Sequence, residues 1–478
     1  MTAQTILPAN SASSGGYEVA NSLRFNPASN DRLTRTPSTT GNESRWTWSG
    51  WAKRGTDNQD LFLFGCDEDA NNETFLKFGS GGDIRFEDKV GGSTNGKINT
   101  LAKFRDLSAW YHIVAVFDKD NSTATDRMIL YVNGVRISAF DGSVMPGNSS
   151  ILNKAELVEI GALDGDGDMN GYICEVCFID GQALAADSFG EFDSDSGIWV
   201  PIKVSGLTFG DQGYYLEMKQ VGTSQNSSGM GADTSGNDNH FAVNGLTAID
   251  QSQDTCTNNF CTLNPLDNFF PNHTYTDGNL TSASGTDNGS PYTYVTSTMG
   301  FNTGKWYWEF KAVAKESGID NWVPGFTSQR TTTTTLTYSN GTHGYGMYGH
   351  TGVIYNNGSS AYGSGFTTGN TVMIAVDMDN LGAYWGVNGT WLNSSDPESG
   401  SNRTGAKVIT APTGDIGVYL PSWFWYEADV NGTASFNFGS PPYAISSGNA
   451  DGNGYGNFEY EVPSGYFALC TKNLAEHG

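Results

Sequence analysis

Short apolar runs, separated by clusters of Gly, Asn, Asp and Ser, constrain the fold of this chain more than any other feature. The chain contains 61 glycines, and no long stretch of it shows the apolar period of an amphipathic helix. Runs that are broken every few residues by turn formers are typical of short strands. The sequence therefore predicts an all-β protein.

One strand–turn–strand phrase occurs twice. The first copy is HIVAVFDKD followed by MILYVNGVRI, with Asn133 and Gly134 at its end; the second is VMIAVDMDNLGAYWGVNGTW, with Asn388 and Gly389. Asn-Gly suits the two-residue hairpin turn in which both central residues need positive φ. Each copy therefore predicts a pair of antiparallel strands and a tight turn, and two copies predict two sheet-built modules.

Charge and length exclude several classes of protein. The 478 residues predict about two to four domains. The net charge of −26, from 25 basic and 51 acidic residues, disfavours binding to nucleic acid or to an anionic membrane surface. No apolar run reaches the roughly 18 residues of a membrane span, so no membrane insertion is expected. The first residues lack a basic region followed by an apolar stretch, which predicts no secretory signal and synthesis in a cytosol.

The pass along the chain predicts four segments. Residues 1–20 are an extended arm rich in Ser and Gly, and residues 21–200 are a first β-sandwich domain. Residues 201–289 are predicted to be an irregular connector with short strands of its own, and residues 290–478 a second β-sandwich domain.

The first block resembles the laminin-G-like, concanavalin-type jelly roll. The resemblance is carried by SLRFNPASNDRLTR, TWSGWAKR, the WYHIVAVFD and LYVNGVRI pair, and NGYICEVCFIDGQAL. The second block is similar to SPRY-type β-sandwiches through GKWYWEFKA, GYGMYGHTGVIYNNG, GVYLPSWFWY and ASFNFG, and most of all through Asp377, Trp385, Asn388 and Gly389. The resemblances imply two sandwiches, a laminin-G-like jelly roll and then a SPRY-like sandwich.

The combination of the two blocks resembles large structural proteins of tailed bacteriophages, particularly marine ones. The linking stretches DTSGNDNHFAVNGL and TNNFCTLNPL contribute to this resemblance. It implies a location in the virion after assembly in the host cytoplasm, with other virion proteins as partners. Fibres of this kind are usually symmetric, so a homo-oligomer such as a trimer is expected, and residues 1–20 are expected to anchor it.

The best candidate for a metal site is LDGDGDMNG. Its residues Asp164, Asp166 and Asp168 alternate with turn formers, as oxygen ligands do in the first half of a calcium loop. Cys177 stands where the last ligand of such a loop would be a Glu, and a solvated Asp-Gly turn gives the same pattern. Because laminin-G-like modules often bind calcium at loop ends, weak calcium binding by these three residues is a hypothesis.

The cysteines and one acidic run offer two further alternatives. Cys174 and Cys177 are spaced as C-x-x-C, but residues three apart in a strand point to opposite faces, which favours buried free thiols over a zinc site. The run Glu191–Asp195 nearly matches the strand that carries the two carboxylates of jelly-roll glucanases. It lies among turn residues instead of on a core strand, which disfavours catalysis.

Aromatic stretches are candidates for contacting sugars. Trp423, Trp425 and Tyr426 adjoin a predicted loop, and either the core or a sugar-binding surface would suit them. Tyr345 and Tyr348 lie in HGYGMYGH, between His343 and His350, and this stretch is either a binding loop or a glycine-rich connection between strands. Trp306 and Trp308, which alternate along KWYWEF, are assigned to the core.

Together these features predict a non-enzymatic virion structural protein, either a tail fibre or a surface adhesin, that contacts host glycans through loops at the ends of its sandwiches. Two alternatives stay open. One is a capsid decoration or head fibre protein, whose partners are other virion subunits. The other is a glycan hydrolase. Apart from calcium, no cofactor is predicted.

Overall fold

The computed structural model describes residues 16–164, 168–267, 273–284, 293–316, 318–330, 341–425 and 431–478. The chain forms two compact units, an N-terminal unit that ends at Asn259 and a C-terminal unit that begins at Phe260. Both are built from antiparallel sheets. The predicted all-β class with two sandwiches is confirmed.

The strands of the N-terminal unit are short and are joined mostly by turns. In the described residues they are β1 (Ser22–Phe25), β2 (Arg32–Arg35), β3 (Arg45–Arg54), β4 (Leu61–Asp69), β5 (Asn72–Phe78), β6 (Ile84–Val90), β7 (Ser93–Thr100), β8 (Tyr111–Asp118), β9 (Met128–Val132), β10 (Val135–Arg136), β11 (Phe140–Val144), β12 (Val158–Ile160), β13 (Gly171–Asp180), β14 (Gly190–Phe192), β15 (Trp199–Pro201), β16 (Tyr214–Leu216), β17 (Ala242–Asn244) and β18 (Gln251–Ser252). Single 3-10 turns lie at Pro27–Ser29, Ala124–Asp126, Ala186–Ser188 and Ala248–Asp250.

These strands form two facing sheets and a small ribbon. Sheet A has the order β10-β9-β8-β3-β13-β1-β18, with β16 also paired to β13, and sheet B has the order β11-β7-β6-β5-β4-β12-β2-β17. The ribbon pairs β14 with β15. Alternate residues of both sheets meet in one apolar core, where Trp46 stacks on Phe117 with ring centroids 5.5 Å apart. Two packed sheets around one core make this unit a β-sandwich.

The C-terminal unit repeats this plan. In the described residues its strands are β19 (Thr274–Thr276), β20 (Thr281–Ala283), β21 (Thr293–Thr296), β22 (Lys305–Lys315), β23 (Trp322–Thr327), β24 (Gly344–Met347), β25 (Val353–Tyr355), β26 (Ser359–Ala361), β27 (Thr371–Asp377), β28 (Gly382–Val387), β29 (Thr390–Trp391), β30 (Lys407–Val408), β31 (Leu420–Trp425), β32 (Gly432–Asn437) and β33 (Phe467–Ala468). A 3-10 segment lies at Pro397–Asn402, and a short helix, α1 (Thr471–His477), follows β33.

Sheets C and D of this unit enclose a core rich in aromatic residues. Sheet C has the order β19-β20-β32-β22-β27-β28-β29, with β30 paired to β28 and β33 paired in parallel to β22. Sheet D has the order β21-β31-β23-β24-β25-β26. Trp306 and Trp308 are fully buried between the sheets, as the sequence predicts.

The repeated phrase folds in the same way in both units. Asn133 and Gly134 lie at φ +46° and +75° between β9 and β10, and Asn388 and Gly389 at +50° and +81° between β28 and β29. The predicted hairpin turn is confirmed. In both copies the Asn side chain also accepts a hydrogen bond from a backbone amide of the first strand. The His112 amide donates to Asn133 Oδ1 at 2.8 Å, and the Thr371 amide donates to Asn388 Oδ1 at 2.9 Å.

Within residues 201–267 and 273–284, the predicted connector is not a separate segment. Strands β16, β17 and β18 pair with β13, β2 and β1, so residues 201–259 widen both sheets of the N-terminal unit. Strands β19 and β20 extend sheet C through β32, so they belong to the C-terminal unit. The prediction was wrong because these strands are only two or three residues long, too short to show an apolar alternation.

The prediction that Cys174 and Cys177 point to opposite faces was wrong as well. A β-bulge between them shifts the register of β13 against β3, and Glu175 within it has φ +52°. Because the bulge adds one residue between them, Cys177 points to the same face of the sheet as Cys174. Both thiols therefore lie in one apolar cluster on the outer side of sheet A. The predicted free, buried state of Cys174 and Cys177 is confirmed, and the other four cysteines are free and buried as well.

Candidate functional site

The two outer faces of the N-terminal sandwich differ. The outer face of sheet A carries a second apolar cluster that includes Trp51, Trp110 and Tyr172. Side chains from residues 184–209 and Cys256 pack on this cluster. The chain therefore covers the outer face of sheet A with its own later segments.

The outer face of sheet B carries polar side chains beside a small apolar cluster of Phe62, Phe75 and Leu163. The core cluster contains Leu76, Phe86 and Ile98, so their neighbours along β5, β6 and β7 point outward. One row of cross-strand partners runs over four strands, and a second row lies beside it. We call this surface the sheet B face, and its residues are Phe62, Lys77, Arg85 and Asn99 in the first row and Phe75, Glu87 and Lys97 in the second.

Lys77 is the best-fixed residue of the sheet B face. Its ammonium donates to Asp60 Oδ2 at 2.6 Å and lies 4.7 Å and 4.9 Å from the ring centroids of Phe62 and Phe75. Burial acts to raise the pKa of Asp60, but hydrogen bonds from Lys77 and the Ser80 amide lower it overall. The rings are nearly covered, so they support the ammonium and do not offer an open stacking surface.

Arg85 and Asn99 face each other across β6 and β7 and keep hydrogen-bonding capacity. Arg85 Nε and Asn99 Oδ1 are buried and have no hydrogen-bond partner. An unpaired buried polar group destabilises a protein by about 1–3 kcal/mol. Both atoms lie beneath the surface of the sheet B face, and the Asn99 amide nitrogen donates to the Asp141 carbonyl at 3.4 Å.

A Ser–His pair lies under the covering segments of sheet A. His112 Nε2 is 2.9 Å from Ser49 Oγ, and the Trp199 indole donates to His112 Nδ1 at 3.0 Å. An indole N–H can only donate, so Nδ1 accepts and the ring proton is on Nε2. Burial lowers the pKa of His112 to about 3, so the ring stays neutral. In this tautomer His112 donates to Ser49 and cannot take its proton, which is the opposite of what a serine nucleophile needs.

A buried carboxyl group lies close to this pair. Glu175 accepts hydrogen bonds from the hydroxyls of Tyr215 and, at 3.4 Å, Tyr17. Burial raises its pKa to about 7; the Tyr215 hydrogen bond opposes this, Glu217 adds to it and Lys219 lowers it. A small cavity of about 10 Å³, room for roughly one water molecule, is lined by Ser49, Trp51, His112, Glu175, Cys177, Phe189, Pro201, Ile202 and Val204. The cavity is too small for a sugar ring.

Two of the predicted calcium ligands, Asp164 and Asp168, lie close to Glu159 of β12. Asp164 is exposed, and its backbone amide donates to Glu159 Oε2 at 2.6 Å. Burial raises the pKa of Glu159, and Asp164 and Asp168 raise it further. Asp166 lies outside the described residues, and within the described ones no group of three metal-ligating side chains is found. Calcium binding stays a prediction.

The run Glu191–Asp195 lies on the ribbon and its turn. Glu191 is exposed in β14, and Asp193 Oδ1 accepts from the Ser196 amide and hydroxyl, both at 2.7 Å. These bonds lower the pKa of Asp193. Its carboxylate therefore closes a turn.

Trp423 and Trp425 are not surface residues. Both are fully buried, because the alternate residues of β31 face sheet C. The ring centroids of Trp423 and His273 are 5.7 Å apart, and those of Trp425 and Trp322 are 5.2 Å apart. Both pairs pack edge to face. The alternative in which these rings bind sugar was therefore wrong, and Tyr426 lies outside the described residues.

The stretch HGYGMYGH contains strand β24, and Tyr348 and the residues after it lie beyond the end of that strand. Tyr345 faces the core, and its hydroxyl accepts from the Thr410 amide at 3.2 Å. Tyr348 lies on the outer side of sheet D, stacked on Tyr355 with centroids 5.5 Å apart. The structure thus separates the two predicted residues: Tyr345 is part of the core, and a binding role for Tyr348 stays a prediction.

Residues 28–187 match the family model Laminin_G_3, described as the Concanavalin A-like lectin/glucanases superfamily. The match covers the sheet B face and most of the strands of the N-terminal sandwich. It agrees with the laminin-G-like jelly roll predicted for this part of the chain.

Several solved structures are similar to parts of the chain. The SPRY domain of human HERC1 shows 16% identity and a TM-score of 0.28, over 36% of this chain and 96% of that one. A SAP-like pentraxin from Limulus polyphemus shows 20% identity and a TM-score of 0.28, over 36% and 80%. A candidate carbohydrate-binding protein from Bacteroides ovatus shows 14% identity and a TM-score of 0.31, over 48% and 58%.

No curated protein matches the chain. Among the described residues no helix is long and apolar enough to cross a membrane.

Sequence reasoning missed the sheet B face and the Ser49–His112 pair. A signal for the former was present: in FLKFG and IRFED, Lys77 and Arg85 stand between apolar residues that fill the core. Such an alternation predicts an outward basic residue, but it does not show that neighbouring strands align these residues in one row.

Proposed function

We propose that this protein is a non-enzymatic structural protein of a tailed-phage particle, and that its N-terminal unit binds host-surface glycans through the sheet B face. The observation that carries the proposal is the contrast between the two outer faces. The chain covers the outer face of sheet A, whereas the sheet B face aligns Lys77, Arg85 and Asn99 in one row and Glu87 and Lys97 in a second. Residues 28–187 match a superfamily of lectins and glucanases.

The chemistry of the sheet B face suits a neutral, hydroxyl-rich ligand. Arg85 and Lys97 are donors, Glu87 is an acceptor, and the Asn99 amide is both. Glu87 Oε2 lies 3.9 Å from Lys97 Nζ. The second row therefore carries both a negative and a positive charge. Sugar hydroxyls donate and accept equally well and can bond to all of these groups. A polyanion would be repelled by a chain with net charge −26.

Two features favour binding without turnover. The tautomer of His112 leaves Ser49 without a general base, and Asp193 is occupied within its turn. Neither group is thus arranged for glycoside hydrolysis, which needs two carboxyl groups facing the scissile bond.

The placement in a virion rests on the resemblance of the whole chain to phage structural proteins. It implies other virion proteins as partners and a symmetric homo-oligomer. The alternative function, a capsid decoration or head fibre protein, is favoured by one observation. Val135 and Val144 are 57% and 43% exposed on the edge strands β10 and β11, and apolar residues on a sheet edge suit contact with another subunit.

A glycan array probed with the purified full chain tests the proposal. We expect binding to a subset of host glycans with no cleavage products. Arg85→Ala and Asn99→Ala should each weaken binding about five- to hundred-fold, the equivalent of roughly 1–3 kcal/mol. Arg136→Ala, an exposed residue on the edge of sheet A, is the matched control and should leave binding unchanged.

Each other outcome contradicts a specific part of the proposal. Release of shorter sugars would show an enzyme. Binding that Arg85→Ala and Asn99→Ala leave intact would place the site elsewhere, with the Tyr348 surface as the next candidate. The absence of binding to any glycan would favour the decoration protein.

A further inference from the structure

A buried amine, carboxylate and carboxamide meet on the outer side of sheet A. Lys53 of β3, Asp254 and Asn259 are each 1% exposed. Lys53 Nζ donates to Asp254 Oδ2 at 2.8 Å and to Asn259 Oδ1 at 2.7 Å. All three residues belong to the N-terminal unit. A nucleophilic nitrogen is therefore in contact with both a proton carrier and an acyl group, away from bulk water.

Surrounding groups fix the orientation of all three. Trp110 Nε1 donates to Asp254 Oδ1 at 3.1 Å, and the Asn259 Nδ2 amide donates to the Ser108 carbonyl. This second bond directs Asn259 Oδ1 towards Lys53. The ring of Tyr172 lies 5.4 Å from the Lys53 ammonium. The side chains are thus held in one arrangement before any reaction begins.

We propose that Lys53 and Asn259 join in an intramolecular amide bond, with Asp254 as the proton carrier. The Lys53 ammonium gives a proton to Asp254 Oδ2, and the neutral Nζ attacks Cγ of Asn259. Asp254 then delivers this proton to Nδ2, the Cγ–Nδ2 bond breaks, and ammonia leaves; the ammonia takes the second proton from Nζ, so that Nζ becomes an amide N–H and an ammonium ion is released. One C–N bond forms and one breaks, charge is conserved, Asp254 ends as a carboxylate, and no oxidant or reductant is needed.

Proximity and exclusion of water favour this reaction. A nitrogen in hydrogen-bond contact with the amide oxygen is also near the amide carbon, and groups held in such geometry react with effective concentrations of about 10⁵–10⁸ M. The proton that Nζ must lose before it attacks has an acceptor already in place, because Asp254 Oδ2 lies 2.8 Å from Nζ. Water, which would compete for the same carbon, is excluded.

The bond would join positions more than two hundred residues apart in the sequence. It would connect a central strand of sheet A, β3, to the last residue of the N-terminal unit. A virion protein exposed to proteases and shear would gain a crosslink that does not depend on redox conditions.

The mass of the untreated full chain tests the proposal directly. After denaturation we expect a deficit of one ammonia, about 17 Da, relative to the sequence. Trypsin does not cleave after an acylated lysine, so the peptide Trp46–Arg54 should stay whole and carry the peptide that contains Asn259. A chain of full mass whose Lys53 is cleaved normally would overturn the proposal.

Three variants separate this bond from other losses of ammonia. Lys53→Arg should restore the full mass; if it does not, the ammonia comes from another site, such as a cyclised Asn-Gly. Most Asp254→Asn molecules should have the full mass, because the proton carrier is missing. If this variant shows the same mass deficit as the wild type, Asp254 has no part in the reaction. Asn259→Asp should form the same bond with loss of one water, about 18 Da. The wild-type measurement stands even where a variant fails to fold.

Discussion

Replacing Glu175 by Gln should stabilise the N-terminal unit at alkaline pH and not at acidic pH. The pKa of this carboxyl rises from 4.5 to about 7 on folding, chiefly through burial. A raised folded-state pKa means that the native chain keeps a proton that the unfolded chain releases. The associated stability is complete below pH 4.5 and is lost as pH rises to 7.

The magnitude follows from the two pKa values. Their difference corresponds to about 3 kcal/mol of stability lost above pH 7, and to about 1 kcal/mol at pH 5. A neutral amide in place of Glu175 can still accept from Tyr17 and Tyr215 but has no charge to bury. The variant should therefore exceed the wild type by about 3 kcal/mol at pH 8, or roughly 6–12 °C in Tm.

Urea unfolding of the full chain at pH 5 and pH 8 measures this difference. Glu191→Gln, on an exposed strand, is the matched control and should behave like the wild type at both pH values. Equal effects of Glu175→Gln at the two pH values would refute the reasoning, because a group that stays charged or stays neutral in both states gives no pH dependence. Destabilisation at pH 8 would do the same.

Three further predictions concern core, turn and metal. Trp423→Ala should destabilise the C-terminal unit by about 3–5 kcal/mol, because the ring is fully buried. If urea unfolding shows a decrease of less than about 1 kcal/mol in the free energy of unfolding, the ring is not a core residue. Asn133→Ala should destabilise the N-terminal unit by about 1–2 kcal/mol in the same assay, because it removes a hydrogen bond and leaves Ala at positive φ, and an unchanged unfolding midpoint would contradict this. If Asp164, Asp166 and Asp168 bind calcium, titration calorimetry should show heat that Asp168→Asn abolishes; an absence of heat would leave a solvated turn.

The strands with local signals could be predicted from sequence. The Asn-Gly turns specify their own backbone, so both hairpins were identified at Asn133 and Asn388. Trp306 and Trp308 alternate in a long strand, which identifies them as core residues. In these elements the pattern of a single strand carries the information.

Features that depend on partners distant in sequence could not be predicted. The bulge at Glu175 changes the face of the sheet to which Cys177 points. Within the strand itself, the bulge is marked by the positive φ of Glu175, which the sequence pattern does not indicate. Trp423 follows the same alternation whether its face of the strand is open or covered, so its burial depends on the packing of sheet C against that face of β31. The rows of the sheet B face require the register of four strands.

The glycines of the two hairpin turns bear on how the protein ages. A Cβ atom at Gly134 would lie 2.2 Å from the Trp199 ring, and one at Gly389 would lie 3.0 Å from the Tyr460 ring. Asn-Gly is the dipeptide most prone to deamidation, which requires the asparagine side chain to swing onto the following amide nitrogen. Here the side chains of Asn133 and Asn388 accept hydrogen bonds from a neighbouring strand, and an aromatic ring packs close to each glycine. Both restrict the movement that deamidation needs, so these two sites should resist deamidation during long storage outside a cell.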